Sequence, residues 1–129
     1  MPPVLAAHFE RLKARYQGAL LSFYETGAAM ITIPACPLPA GWSSPAVTLR
    51  FIAPNGYPVS APDCFWVEPN LAVNGSNLPR NSQINNQIPD AGITAHWFSW
   101  HLDQGQWWPN EHDLMTWLNL CLKRLQTPV

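Results

Sequence analysis

A chain of 129 residues is the size of one domain, and with 47% hydrophobic and 12% aromatic residues it has ample material for a core. Charged residues, at 12%, are about half the usual share, and a formal charge of −1 at pH 7 removes the electrostatic case for nucleic acid as a partner. No apolar stretch approaches the ~20 residues of a membrane span, no basic start with an apolar run marks a signal peptide, and three cysteines at unrelated spacings form neither a CxxC nor a disulfide framework, so the expectation is a reduced, cytoplasmic protein with no membrane partner.

Residues 4–17 read as a helix, because Leu5, Phe9, Leu12 and Tyr16 fall at i, i+4, i+7 and i+11 on one face. Lys13 and Arg15 suit the dipole at its end, and Gly18 can terminate it. His8 is expected at the surface of this helix. Leu20–Tyr24 and Ala29–Ala35 read as strands joined by a turn at Glu25-Thr26-Gly27, the second ended by Pro34, Pro37 and Pro39. Val47–Ala53 is a third strand and Cys64–Val67 a fourth, with Cys64 and Trp66 alternating to one face and Phe65 and Val67 to the other. Between them lies Pro54-x-x-Tyr57-Pro58-x-x-x-Pro62, where each proline fixes φ and removes a donor. A tight hairpin would need only Asn-Gly, so this is a built, wide turn with Tyr57 as its packed centre. Residues 69–95, with Asn70, Asn74, Asn77, Asn81, Asn85 and Asn86, show little periodicity, and an irregular stretch of that length tends to be functional. A last helix carries the stripe Leu114, Trp117, Leu118, Cys121, Leu122 and Leu125 behind a solvated start at Glu111-His112-Asp113. The fold class is therefore α+β: one domain over residues 1–129, with an N-terminal helix, a four-stranded antiparallel meander, a long irregular segment and a C-terminal helix.

The Tyr-Pro turn, with Pro54, Tyr57, Pro58 and Pro62 in order, resembles the signature of the ubiquitin-conjugating (E2, or UBC) fold. The leading helix and the segment Trp107-Trp108-Pro109-Asn110 before the last helix extend the likeness over most of the chain. The pieces Leu38-Pro39-Ala40-Gly41-Trp42, Gly56-Tyr57-Pro58, Pro62-Asp63-x-Phe65-Trp66, Ser99-Trp100-His101 and Trp108-Pro109 resemble a bacterial group of E2-like proteins found beside E1-like and JAB-type peptidase genes. The resemblance implies a UBC-like fold whose long irregular segment carries the active site. It implies as partners an E1-like activating enzyme, a ubiquitin-like protein and a protein target. No cofactor and no metal is implied. Such a protein takes the modifier's C-terminal carbonyl as a cysteine thioester and yields it to an amine, with an amide side chain stabilising the oxyanion.

The sequence departs from the family pattern where the chemistry should be. Ser99 stands ten residues before Pro109, where the cysteine is expected, and would give only an oxyester; Glu68-Pro69-Asn70 stands in for His-Pro-Asn. Cys121 belongs to the helical stripe and Cys36 lies in a proline-rich loop, so Cys64 is the best nucleophile candidate, although an early strand residue can also pack inward. His101, in the Ser-Trp-His piece, would lower the thiol pKa or serve as base, with Asp103 orienting it. His96 and His101, five apart, point to opposite faces of an extended chain and form no metal pair. Asn70, Asn74 and Asn77 are candidates for an amide toward the site, and Trp100 and Trp107 for binding. Two E2-like readings follow: a thioester carrier, or a catalytically silent variant that binds a ubiquitin-like protein or an E1 as an adaptor. A third reading, an unrelated α+β binding module, treats the Tyr-Pro turn as coincidence.

Overall fold

Leu5, Phe9 and Leu12 wind into a buried stripe on the first helix, α1 (Pro3–Arg15). The structure is a computed structural model and describes residues 2–100 and 106–129. After α1 come β1 (Leu20–Phe23), β2 (Ala29–Pro37), β3 (Ala46–Ala53), β4 (Phe65–Glu68), β5 (Ser82–Ile88), β6 (Ile93–Phe98) and α2 (Leu114–Leu125). The strands form one sheet in the order β1-β2-β3-β4-β6-β5, every neighbouring pair antiparallel. The α+β class and its two terminal helices stand, but among the described residues the sheet has six strands rather than four.

The two added strands come from the stretch expected to be irregular. Ser82–Ile88 reads Ser-Gln-Ile-Asn-Asn-Gln-Ile, which lacks apolar alternation because β5 is an edge strand with little to bury. Its pairing with β6 is broken between Gln83 and Asn86, where Asn85 takes a φ of 55°. Of that stretch, residues 69–81 and the turn at 89–92 remain outside strands. β2 also runs two residues past its expected end at Ala35, to Pro37. A register shift between Ile33 and Cys36, with Ala35 at φ 55°, supplies the bulge in which a proline without a donor is tolerated.

Alternation along β2, β3, β4 and β6 sends Ile31, Ile33, Leu49, Phe51, Phe65, Val67 and Phe98 to one face, where Leu12, Trp117 and Leu118 of the helices cover them. The other face carries a smaller cluster of Met30, Trp66, Ile88 and Ala95, bordered by Ile52, Cys64 and Trp97. This confirms the division that placed Cys64 with Trp66 and opposed both to Phe65 and Val67. Cys36 is not in an open loop: it lies on β2 and is 2% exposed.

Tyr57 is buried at the centre of its turn, 8% exposed. Its hydroxyl lies 2.6 Å from His8 Nδ1, so His8 is a buried anchor and not a surface residue. Trp107 Nε1 donates to the carbonyl of Pro58 at 2.7 Å, tying the far side of the same turn. The start of α2 is more ordered than a solvated entry. Asp113 accepts from the Thr116 N–H at 2.9 Å while the Thr116 hydroxyl accepts from Asp113 N–H, a reciprocal cap. His112 stacks on Trp108, ring centroids 5.5 Å apart, and accepts the Trp108 N–H.

Candidate functional site

Cys64 lies just before β4, past the end of the β4–β6 ladder. The last ladder pair is Phe65 with Phe98, and the Cys64 N–H donates to the carbonyl of Trp100 at 2.7 Å, which sets Cys64 beside the Ser99-Trp100 pair. The chain reaches β4 through a residue with positive φ, 58° at Cys64 itself. The Tyr-Pro turn delivers this residue: Tyr57 and Trp107 lock the connector, and Pro62 and Asp63 lead directly into Cys64. Two sequence candidates far apart in the chain, Cys64 and the Ser99-Trp100 pair, are thus brought side by side. His101 and Asp103 lie outside the described residues.

The thiol of Cys64 is half-buried, whereas Cys36 and Cys121 are buried. Burial pushes the Cys64 thiol up to about 11; a hydrogen bond from the Trp97 side chain opposes this, and the nearby Asp63 carboxylate reinforces it. Cys36 is likewise pushed up to about 11 by burial, and Cys121, within the α2 core stripe, is raised well above the usual thiol range by its burial. Cys64 is therefore the most accessible of the three sulfurs, and it is protonated at neutral pH unless a base or a cation approaches it.

The asparagine candidates are not gathered at that thiol. Asn70 follows the other end of β4, the end away from Cys64. Its amide donates to Asn85 Oδ1 at 3.1 Å. Asn74 and Asn77 form a local turn in which Val73 and Asn77 exchange backbone hydrogen bonds of 2.8 and 2.9 Å. The segment returns to the Cys64 end of the sheet at Asn81, whose carbonyl accepts the Ser99 N–H at 2.8 Å. Trp107 is engaged by Pro58 and packs on Tyr57, ring centroids 6.2 Å apart. Trp100 is half-buried, and its Nε1 has no partner among the described residues. It lines a pocket of about 240 Å³ with Leu120, Lys123, Arg124, Thr127 and Val129.

Two residues hold this region together without any local signal of their role. His96 is fully buried, and its Nδ1 accepts the Leu71 N–H at 2.9 Å, which fastens the 69–81 segment to β6. Nδ1 is then the acceptor, so in the neutral ring the proton sits on Nε2, which has no partner among the described residues. Burial, aided by the charge of Arg124, pulls its pKa down to about 4. Arg124 lies over the rings of Phe98 and Trp42 at 5.2 and 5.9 Å and donates to the carbonyls of Arg80 and Val129, both at 3.0 Å. The contacts of His96 with Leu71 and of Arg124 with Arg80, Trp42 and Phe98 join residues distant in sequence, so no local spacing announces them. Trp97 could have been found by alternation once β6 was recognised as a strand. Among the described residues no group of three or more His, Cys, Asp or Glu could hold a metal ion.

With this geometry in hand, the sequence profile of prokaryotic E2 family E matches residues 19–127. The chain belongs to that family. No curated protein and no solved structure matches the chain. Membership makes the protein E2-like and directs attention to protein partners, in keeping with the described helices, none of which is long and apolar enough to cross a membrane.

Proposed function

We propose that this protein carries a ubiquitin-like modifier as a thioester on Cys64. An E1-like enzyme bearing the modifier on its own cysteine would donate it: the Cys64 thiolate attacks the thioester carbonyl, the new C–S bond forms and the E1 sulfur leaves as thiolate. A target amine then attacks the same carbonyl, expels the Cys64 sulfur and loses a proton to His101, with Asp103 holding that imidazole. The observation that carries this reading is that the one half-buried cysteine is tied, through its own N–H, to the carbonyl of Trp100 just past the end of the β4–β6 ladder. Ser99 stands at the position of the usual nucleophile, and an oxyester there would transfer poorly. Its proposed part is to line the site. Trp100, in its basic-rimmed pocket against α2, is proposed to contact the partner protein; Asn70, Asn74 and Asn77, which are not gathered at the thiol, and Trp107, held by Pro58, have no part in the proposed transfer.

The adaptor reading is favoured by one observation, the thiol held up to about 11. In that reading the fold binds a ubiquitin-like protein or an E1 and transfers nothing. The two separate in a charging experiment with an E1-like enzyme and modifier encoded beside the protein, resolved on gels with and without thiol. The carrier reading expects a thiol-sensitive adduct that disappears in Cys64→Ala and persists in Cys36→Ala and Cys121→Ala. No adduct, while the E1 itself charges and still binds the protein, establishes the adaptor instead.

A further inference from the structure

β1 is the outermost strand on its side of the sheet. The turn that follows it fixes which of its backbone groups are engaged. Tyr24 N–H donates to the Ala28 carbonyl at 2.9 Å, and Gly27 N–H, at a φ of 94°, donates to the Tyr24 carbonyl at 3.1 Å. In an antiparallel ladder, residues that exchange hydrogen bonds alternate with residues whose N–H and C=O point away. With Tyr24 opposite Ala28, the bonded pairs are Ser22 with Met30 and Leu20 with Thr32. Leu21 and Phe23 therefore aim their N–H and C=O groups out of the sheet, and nothing among the described residues meets them.

Natural sheets blunt such an edge with a charge, a proline or a bulge. The other edge does so: β5 has its bulge at Asn85, between Gln83 and Asn86. β1 has none of these, and Leu20 and Phe23 on it are 61% and 48% exposed. Its flanks carry opposite charges. Lys13 and Arg15 occupy the last turn of α1 just before the strand, and Glu25 and Asp90 share the rim of a pocket just after it.

We propose that β1 pairs antiparallel with β1 of a second copy of this chain, about a two-fold axis at Ser22, so that one sheet runs through the dimer. In that register Leu21 of each copy faces Phe23 of the other, and each such pair exchanges two backbone hydrogen bonds. Leu20 lies across from Tyr24 on one face, and Leu21 and Phe23 adjoin on the other. Glu25 falls across from Ala19, next to the stretch that leaves the basic end of α1. The acidic end of each copy thus meets the basic end of its mate, twice over. A parallel arrangement would set like charges together. This matching of the strand to itself is what selects a second copy over an unrelated extended segment. The inference rests on the strand alone and not on the thioester reading.

Sedimentation equilibrium of the full chain from ~10 μM to ~1 mM spans the affinity a short edge pairing supports. A monomer–dimer equilibrium is expected. Phe23→Pro removes an outward donor without touching a bond to β2, and weakens association at least ~10-fold. Glu25→Lys and Arg15→Glu, both at exposed positions, each weaken self-association ~10-fold, and an equimolar mixture of the two restores it, since both cross-copy pairs then have opposite charges. A monomer at every concentration overturns the proposal, as does a dimer indifferent to Phe23→Pro or a charge-reversed mixture that gains nothing over its components.

Discussion

His96 shows how one side chain can couple the candidate site to pH. The unfolded chain protonates this histidine near 6.5; in the fold, burial and Arg124 hold it down to about 4. A depressed folded pKa gives stability that is fully present above 6.5 and is lost as the pH falls toward 4, because only the unfolded state takes up the proton in that window. The loss amounts to roughly 3 kcal/mol once the pH is below both values. His8 acts in the same direction: burial, then the charge of Arg11, lower its pKa, and Asp113 opposes them. Urea unfolding at pH 7 and at pH 4.5 is expected to show this fall. His96→Gln, which keeps an acceptor for the Leu71 N–H, flattens most of the dependence. An unchanged slope in that variant assigns the titration elsewhere.

At the scale of the elements, the connector from β3 to β4 sets the position of Cys64, and it is held at two points. Tyr57 reaches His8 on α1, and Pro58 accepts from Trp107 ahead of α2, so the connector is pinned between both helices. Tyr57→Phe keeps the ring but leaves the buried His8 Nδ1 without its partner, and is expected to cost about 1–3 kcal/mol in chemical denaturation. Tyr57→Ala removes the packing as well and is expected to cost about 3–5 kcal/mol. A Tyr57→Phe variant as stable as the parent means the 2.6 Å contact contributes nothing net. The packed centre of this turn was legible because prolines at fixed spacing leave the tyrosine little else to do, and the helical stripes and β3 were legible from their period. β5 was not, since its ladder to β6 is made by backbone groups that any polar sequence supplies. The pairing of His8 with Tyr57 was also hidden, because the two stand 49 positions apart and no pattern between them reports it. For the site, sequence singled out Cys64 and the Ser99-Trp100 pair, but only the backbone bond from Cys64 to Trp100 at the end of the β4–β6 ladder brings them together.

For the molecule as a whole, the three cysteines sample three depths of one cooperative structure. Cys36 lies in β2, between β1 and β3 in the sheet, and Cys121 lies in the α2 stripe under the same core. Neither sulfur can meet a reagent until the sheet and the helices part, so both should alkylate only at the rate of global opening. Cys64 sits where the β4–β6 ladder ends, half-buried, and needs only its own deprotonation and slight local movement. Alkylation of the native protein, followed by mass spectrometry of its peptides, is therefore expected to label Cys64 first. Its rate should rise about tenfold per pH unit until the pH nears 11, since the thiolate is the reactive form. Cys36 and Cys121 should appear together, and only as denaturant populates the unfolded chain. Cys36 labelling ahead of Cys64 would contradict the burial that separates them. A carrier thiol has to react at neutral pH, so adding the E1-like partner is expected to move the Cys64 profile to lower pH, whereas an adaptor's profile stays near 11 when the partner binds.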